Sequence, residues 1–438
     1  MGKSKITKAI AIIFFIIIFF IAVIFLSDSL NKSSELDSDT KELTEVKKEE
    51  FSSNTDENQN DVENSDENAI KNDSISSDVT TDTNGNNNNE NKESVVTLKM
   101  VGDVLLHTPV SDSGLMADGS YNYDHLFANV KNEIGSADIA LVNQEVILGG
   151  TEMGLSGYPA FNGAYEVGDS LVSAGFDVIL HATNHAIDRG KNGLINCLDF
   201  WETNYPDIAV LGINKSQEMQ DMVYICEKNG IKIAILNYTY GTNGIALPSD
   251  MPFAVNLMDR DKIAKDIEYA EANADITVVC PHWGTEYTHF ENSNQTELAS
   301  YFTELGADVI IGTHPHVIQP VKWVEASNGN KALVYYSIGN FINSTSEYGN
   351  TVADRMVGAI ANITIKKSSD GSVSIYDYSV TPLVTQMLTG TAKITTYKLS
   401  EYNQELASLN EVIARDSRFS YEFCVNLCNE VFGDVKQD

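Results

Sequence analysis

Five short apolar runs, each closed by a cluster of polar residues, restrict this chain to a sheet whose strands end along a common edge. Residues 95–101 end at Gly102-Asp103, with His107 close behind, and 139–142 end at Asn143-Gln144-Glu145. Residues 178–181 lead into Ala182-Thr183-Asn184-His185, 276–280 into Pro281-His282-Trp283-Gly284-Thr285-Glu286, and 309–311 into Gly312-Thr313-His314-Pro315-His316. Runs of Val and Ile this short and this uniformly apolar are the mark of strands covered on both faces. Further strands are predicted at 208–211, 222–226, 231–238 and 332–337. Helical patterns fall between them at 165–174, 191–202, 259–271 and 295–305, several opening on Asn or Asp and closing at Gly or Asn. The alternation predicts an α/β domain. Beyond Arg355, residues 358–365 and 373–380 alternate as antiparallel strands and are expected to close a second sheet. Residues 399–431 are expected to form two helices broken near Asp416, packing through Leu406, Leu409, Val412 and Ile413.

In an open α/β sheet, ligands bind at the carboxyl ends of the strands because the loops converge there. Delivered to one crevice, the Asp, Glu, Asn and His residues above form a dinuclear site whose nitrogen and oxygen donors suit Zn, Mn or Fe. Each piece alone has a blander reading. Gly102-Asp103 reads as a turn with an Asx cap, Glu145 as a solvated charge, Asn184-His185 with Asp188 as a helix start, and His282 as a neighbour of Trp283. The conjunction outweighs them, because six of the eight histidines fall in or near these strand ends. Gly339-Asn340 adds an amide near the same crevice, and Arg189 and Arg355 are candidate anion contacts that also read as structural ion pairs.

The 438 residues do not all belong to this domain. Lys3, Lys5 and Lys8 precede an apolar run from Ala9 to Leu26, long enough to cross a bilayer, and the flanking lysines favour a cytoplasmic N-terminus. A membrane anchor is therefore expected over 1–26, with a cleaved signal segment as the competing reading. Residues 27–94 are rich in Ser, Asn, Asp, Glu and Thr and hold 19 acidic against 6 basic residues, which predicts a disordered acidic tether. The net charge of −33 excludes nucleic-acid binding through a broad basic surface. Five cysteines without metal-site spacing give no disulfide framework.

Taken in order, Asn143-x-Glu145, Thr183-Asn184-His185-x-x-Asp188-x-Gly190, His282-Trp283-Gly284-x-Glu286-Tyr287, Gly312-x-His314-Pro315-His316-Val317 and Ser337-x-Gly339-Asn340-Phe341 resemble the CapA family of poly-γ-glutamate capsule biosynthesis proteins, over about residues 97–383. That family is related to the calcineurin-like metallophosphoesterases. The resemblance implies a metallophosphoesterase-like sandwich of two mixed β-sheets flanked by helices over 95–390, with a C-terminal helical segment over 391–438. It implies two divalent metal ions held by Asp103, Glu145, Asn184, His282, His314 and His316, with Glu145 in the bridging position. His185 is then the general acid, aided by Asn184, and metal-activated water the nucleophile. His107, Asn143, Asp188, Arg189, Glu286 and Asn340 are further candidates. The chain departs from the phosphoesterases at Leu105, where they carry His, and at Glu145, where they carry Asp.

The function implied is metal-assisted hydrolysis or transfer in the biosynthesis or export of poly-γ-glutamate or a related anionic polymer, by a single-pass membrane protein with its folded domain outside the cell. Membrane synthase subunits are the implied partners. Two alternatives stay open: a non-catalytic polymer-binding subunit of a membrane synthase complex, and a cell-surface phosphoesterase.

Overall fold

Short apolar strands need both faces covered, and the architecture supplies this with two sheets face to face and helices outside each. The computed structural model describes residues 93–388 and 393–438. The expected anchor lies outside the described residues, as does the expected tether apart from its last residues, where Ser94 opens the first strand. Among the described residues no helix is long and apolar enough to cross a membrane.

In chain order the strands are β1 (Ser94–Val104), β2 (Ile139–Asn143), β3 (Val178–Leu180), β4 (Ala209–Leu211), β5 (Tyr224–Lys228), β6 (Ile231–Thr239) and β7 (Ile276–His282). They continue as β8 (Val309–Ile311), β9 (Val321–Glu325), β10 (Lys331–Tyr335), β11 (Asn340–Ile342), β12 (Val357–Lys367), β13 (Val373–Met387) and β14 (Ile394–Lys398). One sheet runs β14-β13-β12-β1-β2-β3-β4, with β11 also pairing with β1, and the other runs β5-β6-β7-β8-β10-β9. Both are mixed. Strands β1 to β4 pair in parallel, as do β6, β7, β8 and β10, while β12, β13 and β14 are antiparallel.

Side chains alternate across each strand, so one set fills the space between the sheets and the other meets the helices. Leu98, Met100, Ile139, Leu141, Val278 and Cys280 belong to the central core. Ala140, Val142 and Ile179 pack instead with Leu171, Leu194 and Trp201 of the helices Tyr165–Ala174 and Gly190–Asn204. On the other side Val279 and Ile310 pack with Ile263, Ile267 and Phe302 of the helices Arg260–Asn273 and Ser293–Leu305. Asp259 caps the first of these by accepting from the Lys262 amide, and Asn292 and Gln295 form a reciprocal capping box on the second.

The two strands past Arg355 do not build a second sheet. They extend the first, because β12 pairs with β1 along its whole apolar length. Residues 391–438 are not wholly helical either, since β14 adds a strand to β13. The helical pair reduces to short turns at Leu399–Glu401, Gln404–Ser408 and Glu411–Ala414 before the helix Tyr421–Phe432. In those turns Leu409 leaves the expected packing face and is 56% exposed.

At the carboxyl end of β1 the chain passes close beneath β11. The Asp103 amide donates to the Gly339 carbonyl at 3.1 Å, and a Cβ on Gly102 would lie 1.8 Å from that same oxygen. Gly102→Ala is expected to lower unfolding free energy by about 2 kcal/mol, by overpacking against rigid backbone. Gly135→Ala, whose added Cβ meets only the Lys131 carbonyl at 3.3 Å, should change it by about 0.5 kcal/mol or less. Chemical denaturation of the two variants checks the contrast.

At the opposite end of β8, burial pushes the Asp308 carboxyl up to about 7, although it accepts the Thr277 amide at 2.8 Å. A folded-state value above the unfolded one means stability is fully present at acid pH and lost as pH rises towards 7. Asp308→Asn keeps an acceptor and should flatten that decline, raising Tm relative to the parent at about pH 8 but not at about pH 4.

Candidate metal centre

Parallel strands of both sheets deliver their last residues to one crevice, and the side chains there meet across the sheets. Asp103, at the end of β1, is fully buried. Its Oδ1 accepts from Asn143 Nδ2 at 2.7 Å, and its Oδ2 accepts from the His314 amide at 3.3 Å and from His316 Nδ1 at 3.1 Å. His316 Nδ1 also donates to Asn340 Oδ1 at 3.0 Å. His282 is held at both ring nitrogens, Nδ1 by the Thr313 hydroxyl at 3.0 Å and Nε2 by Asn184 Oδ1 at 2.8 Å. The ring centroid of His314 lies 4.8 Å from that of His282 and 4.7 Å from that of Tyr240.

The loop after β8 turns twice to present its histidines. His314 has φ +94° and His316 φ +59°, both in the left-handed region that favours glycine. One residue type here is dictated by space, since a Cβ on Gly312 would lie 2.2 Å from the Tyr336 carbonyl and 2.3 Å from Trp283 Nε1.

Glu145 sits at the middle of this group. It is fully buried, and neither carboxylate oxygen has a hydrogen-bond partner among the described residues. Its Oε1 lies 3.7 Å from both His282 Nε2 and His316 Nε2. Burial, only partly offset by His316, holds its carboxyl well above the usual range. Burial also holds His282 and His314 well below the usual imidazole value. His316 moves the other way, to about 10, because the Glu145 and Asp103 carboxylates outweigh the effect of burial.

These residues fit a divalent cation. Ligand atoms of Glu145, His314 and His316 lie within 4.8 Å of one another, and His314 Nδ1 is buried without a partner. A buried carboxyl without hydrogen-bond partners, beside imidazoles of which burial holds His282 and His314 neutral, is a poor arrangement for a protein alone and a good one for a metal ion. Asn184 adjoins the group through His282, and Asn143 and Asn340 orient Asp103 and His316 from behind.

His185 stands beside these ligands and lines a cavity of about 950 Å³. Its Nδ1 donates to Asp188 Oδ2 at 2.6 Å, and its ring meets Phe161 edge-on at 4.7 Å. Asp188 is itself fixed by the Phe161 amide at 2.8 Å. The other candidates are set apart. His107 lies at the cavity wall, 5.3 Å from the Phe161 ring, with burial depressing it to about 4. Leu105 faces the same cavity, and Glu286 is exposed at its rim. Arg189 is not among the residues that line the cavity, and its Nη2 donates to the Met153 carbonyl at 2.6 Å.

Three supporting residues escaped the sequence reading. Thr313 orients His282, and Tyr240 packs on His314. Asn237 ties the two sheets, accepting from the Ala182 amide at 2.7 Å and donating to the Cys280 carbonyl at 2.8 Å. A polar Asn within the apolar run of β6 was the available signal.

Residues 97–345 match the family model described as bacterial capsule synthesis protein PGA_cap. The chain is 35% identical over 173 residues to "PGA biosynthesis protein CapA" of Bacillus subtilis (strain 168), covering 39% of this chain and 44% of that protein. It is 28% identical over 256 residues to "Capsule biosynthesis protein CapA" of Bacillus anthracis, covering 56% of this chain and 59% of that protein. The chain thus spans about half the length of the curated relatives it matches. Among solved structures it is similar to the NAD nucleotidase of Haemophilus influenzae, with TM-score 0.42, 12% identity and coverage of 79% of this chain and 64% of that one. It is also similar to the calcineurin-like phosphoesterase YfkN of Bacillus subtilis, with TM-score 0.37, 14% identity and coverage of 77% and 97%.

The unpartnered carboxylate of Glu145 has a measurable consequence. In chelator near neutral pH, Glu145→Gln should raise stability by about 2 kcal/mol, because burial makes that carboxyl costly to carry into the fold. With Mn or Zn present the parent should gain stability that the variant does not. Thermal melts of both proteins in the two conditions give the comparison.

Proposed function

The chain belongs to the bacterial capsule synthesis protein PGA_cap family, and on that premise we propose that it processes poly-γ-glutamate or a related anionic capsule polymer by metal-assisted hydrolysis or transfer. In this reading residues 1–26 anchor the chain in the cell membrane and 27–94 tether the folded domain outside it, beside membrane synthase subunits. Asp103, Glu145, Asn184, His282, His314 and His316 would hold divalent metal, two ions in this reading. When bound, such ions polarise the scissile oxygen and lower the pKa of water. The observation that carries the reading is Glu145, whose two buried carboxylate oxygens have no partner while imidazole nitrogens stand 3.7 Å away.

The protein's own groups then have separate tasks. Asp188 accepts from His185 Nδ1, which leaves Nε2 to protonate the leaving group, and it stabilises the imidazolium that acts as the donor. Phe161 covers one edge of that ring and restricts water around it. Asn143, Thr313 and Asn340 keep the ligand side chains in place as substrate enters.

A second reading, a polymer-binding subunit without catalysis, is favoured by one feature. Leu105 lines the cavity at the position where related phosphoesterases carry a histidine.

Elemental analysis of the purified full chain tests the first reading. Near-stoichiometric metal is expected in the parent, and its loss in His282→Ala combined with His314→Ala. No metal after incubation with Mn or Zn would overturn it. His185→Ala should keep the metal and lose about 100-fold or more of the turnover on aryl phosphates or γ-linked glutamate polymer. Metal retained with unchanged capsule function in His185→Ala would favour the binding subunit.

A further inference from the structure

Among the residues that line the strand-end cavity, Arg355 is the single Lys or Arg, against the carboxylates of Asp188, Glu286 and Glu347. A polyanion entering this cavity therefore meets one guanidinium, and no Lys, beyond the imidazoles of the ligand cluster. Arg355 is 5% exposed, and its guanidinium carbon lies 4.4 Å from the centre of the Tyr287 ring. Its Nε donates to the Thr351 carbonyl at 3.3 Å, and its Nη2 donates to Glu347 Oε2 at 2.7 Å. The first two contacts hold the group at its base and across its face. A guanidinium fixed in this way is preorganised for a planar oxyanion.

Glu347 is a different kind of partner. Its side chain is 65% exposed, it lies in a segment without regular secondary structure, and its carboxylate makes no other hydrogen bond among the described residues. Such a half-solvated pair holds weakly and separates readily. The contact nevertheless shows what the position accepts, namely a carboxylate on a flexible stem.

We propose that Arg355 is the carboxylate-recognition residue of this cavity and that Glu347 occupies it as an internal surrogate, displaced by a carboxylate of the incoming polymer. The inference rests on the proposed function, since it takes the cavity to be the polymer's site. A γ-linked glutamate chain leaves one free α-carboxylate on every residue, so it offers this group repeatedly beside the linkages that His185 and the ligand cluster face. A phosphate group shares the same oxyanion chemistry, and the test separates the two.

The experiment measures binding of a fluorescent oligomer of γ-linked glutamate to the full chain, in chelator and with Mn, with inorganic phosphate as competitor. Removing the surrogate should tighten binding, so Glu347→Gln is expected to lower Kd about fivefold. Arg355→Gln should raise Kd about tenfold or more. In the Arg355→Gln background, Glu347→Gln should have no effect. Loss of a rim carboxylate by itself also favours a polyanion, so Glu286→Gln, at a carboxylate of the same cavity without a hydrogen bond to Arg355, should tighten binding less than Glu347→Gln, and that comparison stands even where Arg355→Gln folds poorly. Oligomer binding by the parent that Glu347→Gln leaves unchanged or weakens overturns the surrogate while sparing the proposed function. Tightening seen for phosphate but not for the oligomer overturns the carboxylate assignment. No oligomer binding by the parent in either condition overturns both.

Discussion

Parallel pairing is the constraint on which the rest of the structure depends. A parallel pair cannot be closed by a hairpin, so each connection in β1-β2-β3-β4 and in β6-β7-β8 returns over the sheet, several through a helix. Every carboxyl end in each series then falls on one edge. The contact of Asn184 with His282, and of Asp103 with the loop holding His314, brings the two edges together. Antiparallel strands β12, β13 and β14 lie outside this series and contribute width and core.

The crevice so formed gathers charge that an apolar frame alone would reject. Two carboxylates and three imidazoles lie within it almost without solvent. They are held there by sheets that are apolar on both sides, and by polar residues that each fix one group: Asn143 on Asp103, Thr313 on His282, Asn340 on His316, Asp188 on His185. Glu145 and His314 are the exceptions: the Glu145 carboxylate oxygens and His314 Nδ1 have no hydrogen-bond partner among the described residues. The geometry of the frame is tight enough that glycines at 102 and 312 are dictated by neighbouring backbone.

The strand ends were legible in the sequence because burial on both faces leaves no alternation to blur them. Asp103, Glu145, Asn184, His282, His314 and His316 stand together as their positions after β1, β2, β3, β7 and β8 imply. Sheet membership was not legible beyond Arg355, since alternation in 358–365 reports a strand with two unlike faces but not its neighbour. Strands β9, β11 and β14 were missed: β9 reads Val-Lys-Trp-Val-Glu at an exposed edge, β11 follows Gly339 as three residues that read as a turn, and β14 is an edge strand of Ile-Thr-Thr-Tyr-Lys. Arg189 could not be placed either, because its partner is a backbone carbonyl in the loop at Met153, which no side-chain pattern announces.

The left-handed backbone at His314 and His316 has a consequence for the history of such a chain. Each non-glycine residue held there costs on the order of 1 to 3 kcal/mol, and glycine or asparagine relieves that strain. A lineage that no longer used this crevice would gain by losing either histidine, and mutation would reach that gain in few steps. The chain carries both, on either side of Pro315, so the loop that presents these imidazoles does so at a cost in backbone strain.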